Sequence, residues 1–465
     1  MSIKLSVCCP VLLKFHCFKG IDRQTQAPID SLPTEIVCNI LTTAIETTLP
    51  RDDAHRIHKP KLAAVCRRWR DIILNTPLLW TYIEISPKWL IMSLLKAHVE
   101  RSQECPLVIV CRSVGWTSGS VTYRDEQLAL NIVVATVHRW RSLTLTYYCI
   151  GGTLLTGKFS HTVFPLLTHL SISPDLVCHG PIFHPEHVPA LKYLETSMGA
   201  FIPYLNFPSP PALEELTIDS SCHWTPRSLE FLSFQGLKAL SFCGYTGEEH
   251  IQPDIIHLPL LTRLSLDVSH AEQLLRILST PSVTHIVYQQ QDSETLFTAF
   301  NGIPSKWTNV HELGLRLVEW RSNHPREDYR VSLTALHLAA PEVRSMEVVA
   351  DDLGDLFACQ QGGSVYPIDH WVHLEQFAII GDCVDELNEM GRYIVPWLKQ
   401  RRDMGKPALK LTGLLMNGNR AELNRIVVDD VRQYCDGVDL RIMEGEDSQY
   451  LYMPLREKKK AKMMR

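Results

Sequence analysis

Residues 259–266 read PLLTRLSL, and the order of apolar and polar residues in this stretch decides the fold. Leu264 and Leu266 flank a polar residue, a period of two that places both side chains on one face of a β-strand. Leu261 stands three positions earlier, which gives the pattern apolar-x-x-apolar-x-apolar. Pro259 suits the start of a strand because proline has no ladder hydrogen bond to donate there. The stretch therefore predicts a short strand that begins after Pro259.

The same pattern recurs along most of the chain. The first apolar positions of the ten copies are Trp140, Leu167, Leu191, Leu213, Leu237, Leu261, Val283, Val310, Val343 and Leu374. The copy at Leu191 departs from the pattern, with Thr196 at its third site. Their successive differences are 27, 24, 22, 24, 24, 22, 27, 33 and 31 residues. Five further copies carry the preceding proline, as Pro165, Pro189, Pro211, Pro281 and Pro341. A recurring period predicts stacked repeats whose strands share one apolar core.

Helical periodicity separates several of these predicted strands. Apolar residues recur every three or four positions in 269–280, 382–402 and 421–435. Because alternating strands and helices favour a parallel sheet, we predict an α/β fold. Residues 107–111 are strand-like and 127–137 helix-like, so the sequence is also compatible with an earlier start of the array.

This region resembles a degenerate leucine-rich repeat, a resemblance that implies a solenoid with a parallel sheet. The middle spacings fall within the roughly 20 to 29 residues of that repeat. The asparagine usual three residues after the last apolar site is missing, since Asp175, Ser221, Tyr245 and Ser269 stand there. The alternative is an open α/β sheet with unrelated connections.

Two amphipathic helices are predicted near the N-terminus, in 29–45 (IDSLPTEIVCNILTTAI) and in the first part of 61–85 (KLAAVCRRWRDIILNTPLLWTYIEI). Asp30 and Ser31 are capping side chains, and Pro33 suits a first helical turn. One apolar stripe contains Leu32, Ile36, Ile40 and Ala44, and the other contains Leu62, Val65, Cys66, Trp69, Ile72 and Ile73. A module of this size cannot bury all these side chains alone, so part of its apolar surface needs a partner.

The string Leu32-Pro33-x-Glu35-Ile36, followed by Val65-Cys66-Arg67-x-Trp69-Arg70 and Leu79-Trp80, resembles an F-box of the kind common in large fungal families. The resemblance implies docking on the Skp-type adaptor of a cullin-RING ubiquitin ligase, with the rest of the chain recruiting a protein substrate. It implies these adaptor anchors: Leu32, Pro33, Ile36, Ile40, Val65 and Trp69. The insert 47–60 is longer and more polar than the usual connection. The alternative is two ordinary amphipathic helices that pack on the next domain.

Charge and composition exclude several other classes. The 46 basic and 51 acidic residues give a net charge of −5, which provides no field to attract nucleic acid or an anionic membrane. No apolar run approaches the roughly 18 residues of a membrane helix. Fourteen cysteines at irregular spacings indicate reduced thiols, so we expect a cytoplasmic location, a nuclear one, or both.

Catalytic and ligand-binding motifs are weak. Residues 152–159 (GTLLTGKF) satisfy G-x4-G-K, but Phe159 replaces the hydroxyl that would bind magnesium. Cys8, Cys9, His16 and Cys17 lack a second spaced pair of zinc ligands. The sequence contains neither a G-x-S-x-G nor an H-E-x-x-H motif. We expect no enzyme activity, cofactor or metal.

Substrate contacts are expected at the outward strand positions between the apolar sites. These are His169, Ser171, Glu195, Glu215, Thr217, Ser241, Arg263, Ser265 and Glu347. The predicted organisation is a flexible leader (1–28), an F-box-like helical module (29–85), linking helices and a first coil (86–137), a leucine-rich-repeat-like solenoid (138–445) and a basic disordered tail (446–465). The rival functions are a repeat scaffold outside any ligase and, less favoured, an enzyme with an unrecognised site.

Overall fold

A computed structural model describes the fold of the chain. The described residues are 31–46, 54–86, 90–112, 123–146, 159, 161–172, 183, 185–197, 212–224, 235–246, 256–269, 271–290, 300, 303, 305–317, 326–349, 357, 366–381, 384–415 and 431–442. Two compact units divide the chain between Thr76 and Pro77. The leader 1–28, the tail 446–465, residues 47–53 of the polar insert and the candidate loop 152–158 lie outside the described residues.

The described residues of the N-terminal unit form three helices: α1 (Thr34–Glu46), α2 (Ala54–Val65) and α3 (Arg67–Asn75). Pro33 starts α1, because its carbonyl accepts the N–H groups of Ile36 and Val37 at 3.1 Å each. Val37 and Leu41, one helical turn apart, are fully buried in the small core of this unit.

The predicted second helix is wrong as a single helix, because the chain breaks it at Cys66. This residue has an extended backbone (φ −154°, ψ 170°), and its Sγ accepts the N–H of Trp69 at 3.4 Å as the N-cap of α3. The break separates the faces that the periodicity placed together. Val65 ends α2 and is exposed, whereas Ile72 and Ile73 of α3 are buried.

The second unit carries five helices and sixteen strands among its described residues. The helices are α4 (Met92–Arg101), α5 (Tyr123–Val134), α6 (Ala271–Ile277), α7 (Arg326–Ala339) and α8 (Val384–Asp403). The strands are β1 (Tyr82–Ile85), β2 (Leu107–Arg112), β3 (Trp140–Thr146), β4 (His169–Ile172), β5 (Tyr193–Ser197), β6 (Glu215–Trp224), β7 (Ala239–Thr246), β8 (Ile256–His257), β9 (Arg263–Ser269), β10 (Leu278–Ser279), β11 (His285–Gln290), β12 (Glu312–Leu317), β13 (Ser345–Val349), β14 (Gln376–Gly381), β15 (Leu409–Leu415) and β16 (Cys435–Ile442).

Fourteen of these strands form one parallel sheet in which spatial order follows chain order, while β8 and β10 pair separately. The register aligns the repeated pattern from strand to strand. Leu264 of β9 lies beside Leu240 of β7 and Ile286 of β11. Each of the ten sequence patterns coincides with a strand, so the predicted mixed fold with a parallel sheet is confirmed. The sheet starts at β1, upstream of residue 138.

The predicted helices are only partly recovered. Residues 269–280 contain the shorter α6, and 382–402 correspond closely to α8. For 421–435, the first ten residues lie outside the described part, and Cys435 starts β16. No helix in the described portion of the chain is long and apolar enough to cross a membrane.

Aligned apolar rows and buried tryptophans make up the core of the second unit. Four fully buried indoles each donate a hydrogen bond near the start of a strand: Trp140 to Thr136, Trp307 to Thr280, Trp371 to the Ala340 carbonyl and Trp397 to Asp369. These bonds satisfy N–H groups that would otherwise be costly to bury. Phe159 is also fully buried, with its ring centroid 5.8 Å from that of Trp140.

Candidate functional site

Large apolar side chains are exposed on two helices of the N-terminal unit. On α1, Ile36 is 44% exposed and Ile40 is 40% exposed, and the two lie one turn apart. Val65 at the end of α2 is 61% exposed. These residues are distinct from the buried Val37 and Leu41, so α1 presents one apolar side to its own core and another to solvent.

The remaining predicted anchors lie just before α1 and on α3. Pro33 is exposed, while Leu32 and Trp69 are half-buried. The Arg68 guanidinium donates a hydrogen bond to the Leu32 carbonyl, which ties the start of α1 to α3. A weaker contact joins Cys38 Sγ to Thr76 Oγ1 at 3.9 Å, at the other end of α3. The helices α1, α2 and α3 all contact one another.

Leu74 is an exposed apolar residue that the sequence analysis missed. It lies on α3 with 36% of its surface exposed, directly after the buried Ile72 and Ile73. The sequence did contain a signal of this exposure, because Leu74 lies outside the apolar stripe of a short amphipathic helix. An apolar residue there cannot serve the same core face as its two neighbours.

This helical surface belongs to a recognisable domain. Residues 29–86 match the F-box-like family model. No curated protein matches the chain. F-box domains generally bind Skp-type adaptors. The matched F-box-like segment extends ten residues beyond the helical unit, into the short 3₁₀ turn Pro77–Trp80 and strand β1.

The predicted substrate contacts occupy two rows that run across the sheet, at alternate positions of each strand. We call these rows the first and second outer rows. His169, Glu215 and Arg263 belong to the first row, in which Ala239 lies between the last two. The second row runs without a gap across five strands as Ser171, Glu195, Thr217, Ser241 and Ser265. Glu347 lies in the same register but is separated from Ser265 by Val287 and Gly314.

Several residues of the second row are less exposed than expected for outward strand positions. Ser171, Thr217 and Ser241 are buried, and the Oγ atoms of both serines lack a hydrogen-bond partner among the described residues. Short side chains lie low between longer ones on a pleated surface, which gives a physical reason for this burial. Glu195, Ser265 and Glu347 retain intermediate exposure. Contact of this face with a substrate stays a prediction.

The first row is held by ring stacking and charge. His169 stacks on Tyr193 with 4.1 Å between ring centroids, and Arg263 forms a 2.7 Å ion pair with Glu215. Burial lowers the pKa of His169 to about 4, an effect that Arg141 reinforces and Glu215 opposes. The imidazole is therefore neutral near pH 7.

In the described regions, no group of three or more His, Cys, Asp or Glu side chains is placed to hold a metal ion. Of the candidate phosphate loop 152–159, only Phe159 is described, and it packs in the core.

Proposed function

We propose that this protein is the substrate-recruiting receptor subunit of an SCF-type cullin-RING ubiquitin ligase. One observation carries the proposal: the segment that matches an F-box-like domain exposes Ile36, Ile40 and Val65 to solvent. Large apolar side chains of a small domain are stabilised by a partner that covers them. A Skp-type adaptor is the partner that this domain generally binds, and cullin is reached through it.

The adaptor interface consists of Leu32, Pro33, Ile36, Ile40, Val65 and Trp69 in this proposal. Fully burying an aliphatic side chain contributes about 1.5 to 3 kcal/mol, so the three exposed aliphatic residues alone can supply several kcal/mol of binding free energy. Leu74 is an additional candidate because it is exposed on the same unit.

Substrate recognition is assigned to the second unit, which we propose to be a leucine-rich-repeat-like solenoid. The regular spacing of its sequence patterns and the unbroken chain order of its parallel strands support this assignment. The polar outer rows would bind an unidentified protein substrate. The receptor performs no chemistry of its own, because holding the substrate near a ubiquitin-loaded enzyme raises its effective concentration. We place this activity in the cytoplasm, the nucleus or both.

The test is binding of the full-length chain to a Skp-type adaptor, measured by surface plasmon resonance. The variant Ile36→Ala/Val65→Ala removes exposed apolar surface from the F-box-like domain and should weaken binding more than tenfold. The matched control Leu260→Ala/Leu338→Ala removes exposed apolar surface from the second unit and should leave affinity within about twofold. Equal affinities for wild type and the first variant would contradict the proposed interface.

A further inference from the structure

A cavity of about 230 Å³ lies where the end of α8 meets the start of β16. Three of its lining residues are cationic, namely Arg401, Arg402 and Lys406. Leu398 and Tyr434 contribute apolar surface to the same cavity. The cavity is far from both outer rows in sequence, and an inference about it does not depend on the ligase proposal.

Arg401 is buried at this cavity with incomplete hydrogen bonding. Its side chain is 2% exposed, its Nε donates to the Pro407 carbonyl at 3.1 Å, and its Nη2 donates to the Leu374 carbonyl at 2.8 Å. Its Nη1 has no hydrogen-bond partner among the described residues and lies 4.0 Å from Asp369 Oδ1. Asp369 Oδ2 also has no hydrogen-bond partner among the described residues, so these two buried charged groups lie close together but are incompletely paired, which is costly.

Asp369 cannot fully balance the positive charge beside it. Its Oδ1 accepts hydrogen bonds from Lys406 Nζ at 2.8 Å and from Trp397 Nε1 at 3.1 Å. The same oxygen lies 4.0 Å from Arg401 Nη1. One carboxylate thus faces two cations, which leaves one positive charge in excess. Asp436 also lines the cavity, but it is exposed and is matched in charge by the exposed Arg402.

We propose that this cavity binds the phosphomonoester group of a small organic phosphate. Arg401, Arg402 and Lys406 all line it, and the planar guanidinium fork of the exposed Arg402 matches phosphate oxygens. Arg402 is held at the cavity by a 3.3 Å hydrogen bond to the Gln433 carbonyl, with its guanidinium 5.8 Å from the Tyr434 ring centroid. The apolar surface of Leu398 and Tyr434 suits the carbon part of such a ligand.

Isothermal titration calorimetry on the full-length chain tests the site, with phenyl phosphate as the probe. Saturable binding at one site is expected, weaker at high salt. Benzoate has the same ring with a singly charged carboxylate and should bind at least tenfold more weakly. Absence of saturable phenyl phosphate binding, or equal binding of benzoate, would overturn the assignment. Binding of a phosphoserine peptide without binding of phenyl phosphate would also overturn it, in favour of a phosphoprotein ligand.

Matched charge variants on α8 locate the binding event. Arg402→Gln removes one exposed cation from the cavity and should weaken phenyl phosphate binding at least tenfold. Lys399→Gln makes the same charge change at an exposed position outside the cavity and should have less than a twofold effect. Arg402→Lys keeps the charge but not the fork, and an intermediate affinity is expected. Equal weakening by Arg402→Gln and Lys399→Gln would show a diffuse charge effect and refute the site.

Discussion

Ile36 and Val37 are neighbours on α1 with opposite environments. Ile36 is 44% exposed and Val37 is fully buried, and the contrast repeats one turn later at Ile40 and Leu41. The helix therefore serves two apolar surfaces, one that holds its own unit together and one that faces outward. The sequence pattern alone assigned Ile36 and Ile40 to a single stripe without separating these two roles.

Leu41→Ala and Ile40→Ala are expected to affect different properties. Leu41→Ala creates a cavity in the small core, and the cost is about 2 to 5 kcal/mol of local stability. Ile40→Ala removes exposed surface and should change stability by about 0.5 kcal/mol or less. Hydrogen exchange of peptides from residues 31–76, followed by mass spectrometry, measures both changes. Faster exchange in Ile40→Ala than in Leu41→Ala would contradict the division of α1 into two faces.

Cys66 variants test the helix break between α2 and α3. Cys66→Ser keeps a side-chain acceptor for the Trp69 N–H and should maintain or raise stability, because serine is a strong N-cap. Cys66→Ala removes the acceptor and should be about 0.5 to 2 kcal/mol less stable than Cys66→Ser. Chemical unfolding monitored by hydrogen exchange of α3 distinguishes the two. Identical stability of the serine and alanine variants would show that the cap contributes nothing.

Periodicity predicted the strands because each apolar pattern is local and repeats. It failed at Cys66 because apolar spacing at Leu62, Val65 and Trp69 continues across a backbone break that only the dihedral angles reveal. The adaptor anchors were predicted from the resemblance to an F-box. The apolar spacing by itself did not show which of them are exposed. Leu74 was missed because it directly follows Ile72 and Ile73, which face the core.

His169 predicts a pH-dependent stability of the sheet unit. Its pKa in the folded chain is about 4, against 6.5 for the free side chain, so the unfolded chain binds more protons between these pH values. Stability should therefore rise with pH across that interval and level off above it. His169→Phe retains an aromatic ring against Tyr193 and should reduce this slope. Urea unfolding at several pH values measures it, and an unchanged slope in the variant would exclude His169 as the cause.

Asp369→Asn should destabilise the second unit by about 3 kcal/mol or more, because it leaves the buried Arg401 and the half-buried Lys406 without their carboxylate. Burial already lowers the pKa of Arg401, and Asp369 counteracts that effect. Asp403→Asn, at an exposed position on α8, is the control and should change stability by about 0.5 kcal/mol or less. Thermal unfolding of the full-length chain measures both. Equal melting temperatures for the two variants would show that Asp369 is not required for charge balance.

The cluster around Asp369 could not be predicted from sequence. Its members Trp397, Arg401 and Lys406 lie about one repeat away along the chain, and no local motif links an aspartate to them. By contrast, the outer rows follow directly from strand alternation, and the register aligns Ser171 with Glu195 as expected. Sequence reasoning could not foresee that the short residues of this row are buried, since burial depends on their neighbours in space.

Separating adaptor binding from substrate binding is the strongest cellular prediction of the proposed function. Ile36→Ala/Val65→Ala should lose the adaptor but keep the substrate, so proximity labelling should still mark the substrate while its degradation slows. Ser265→Arg places a long cation on the second outer row and should abolish that labelling while leaving adaptor binding intact. Leu338→Arg adds the same charge at an exposed position on α7 and serves as the control. If Ser265→Arg and Leu338→Arg label the same proteins as wild type, the outer row does not carry substrate recognition.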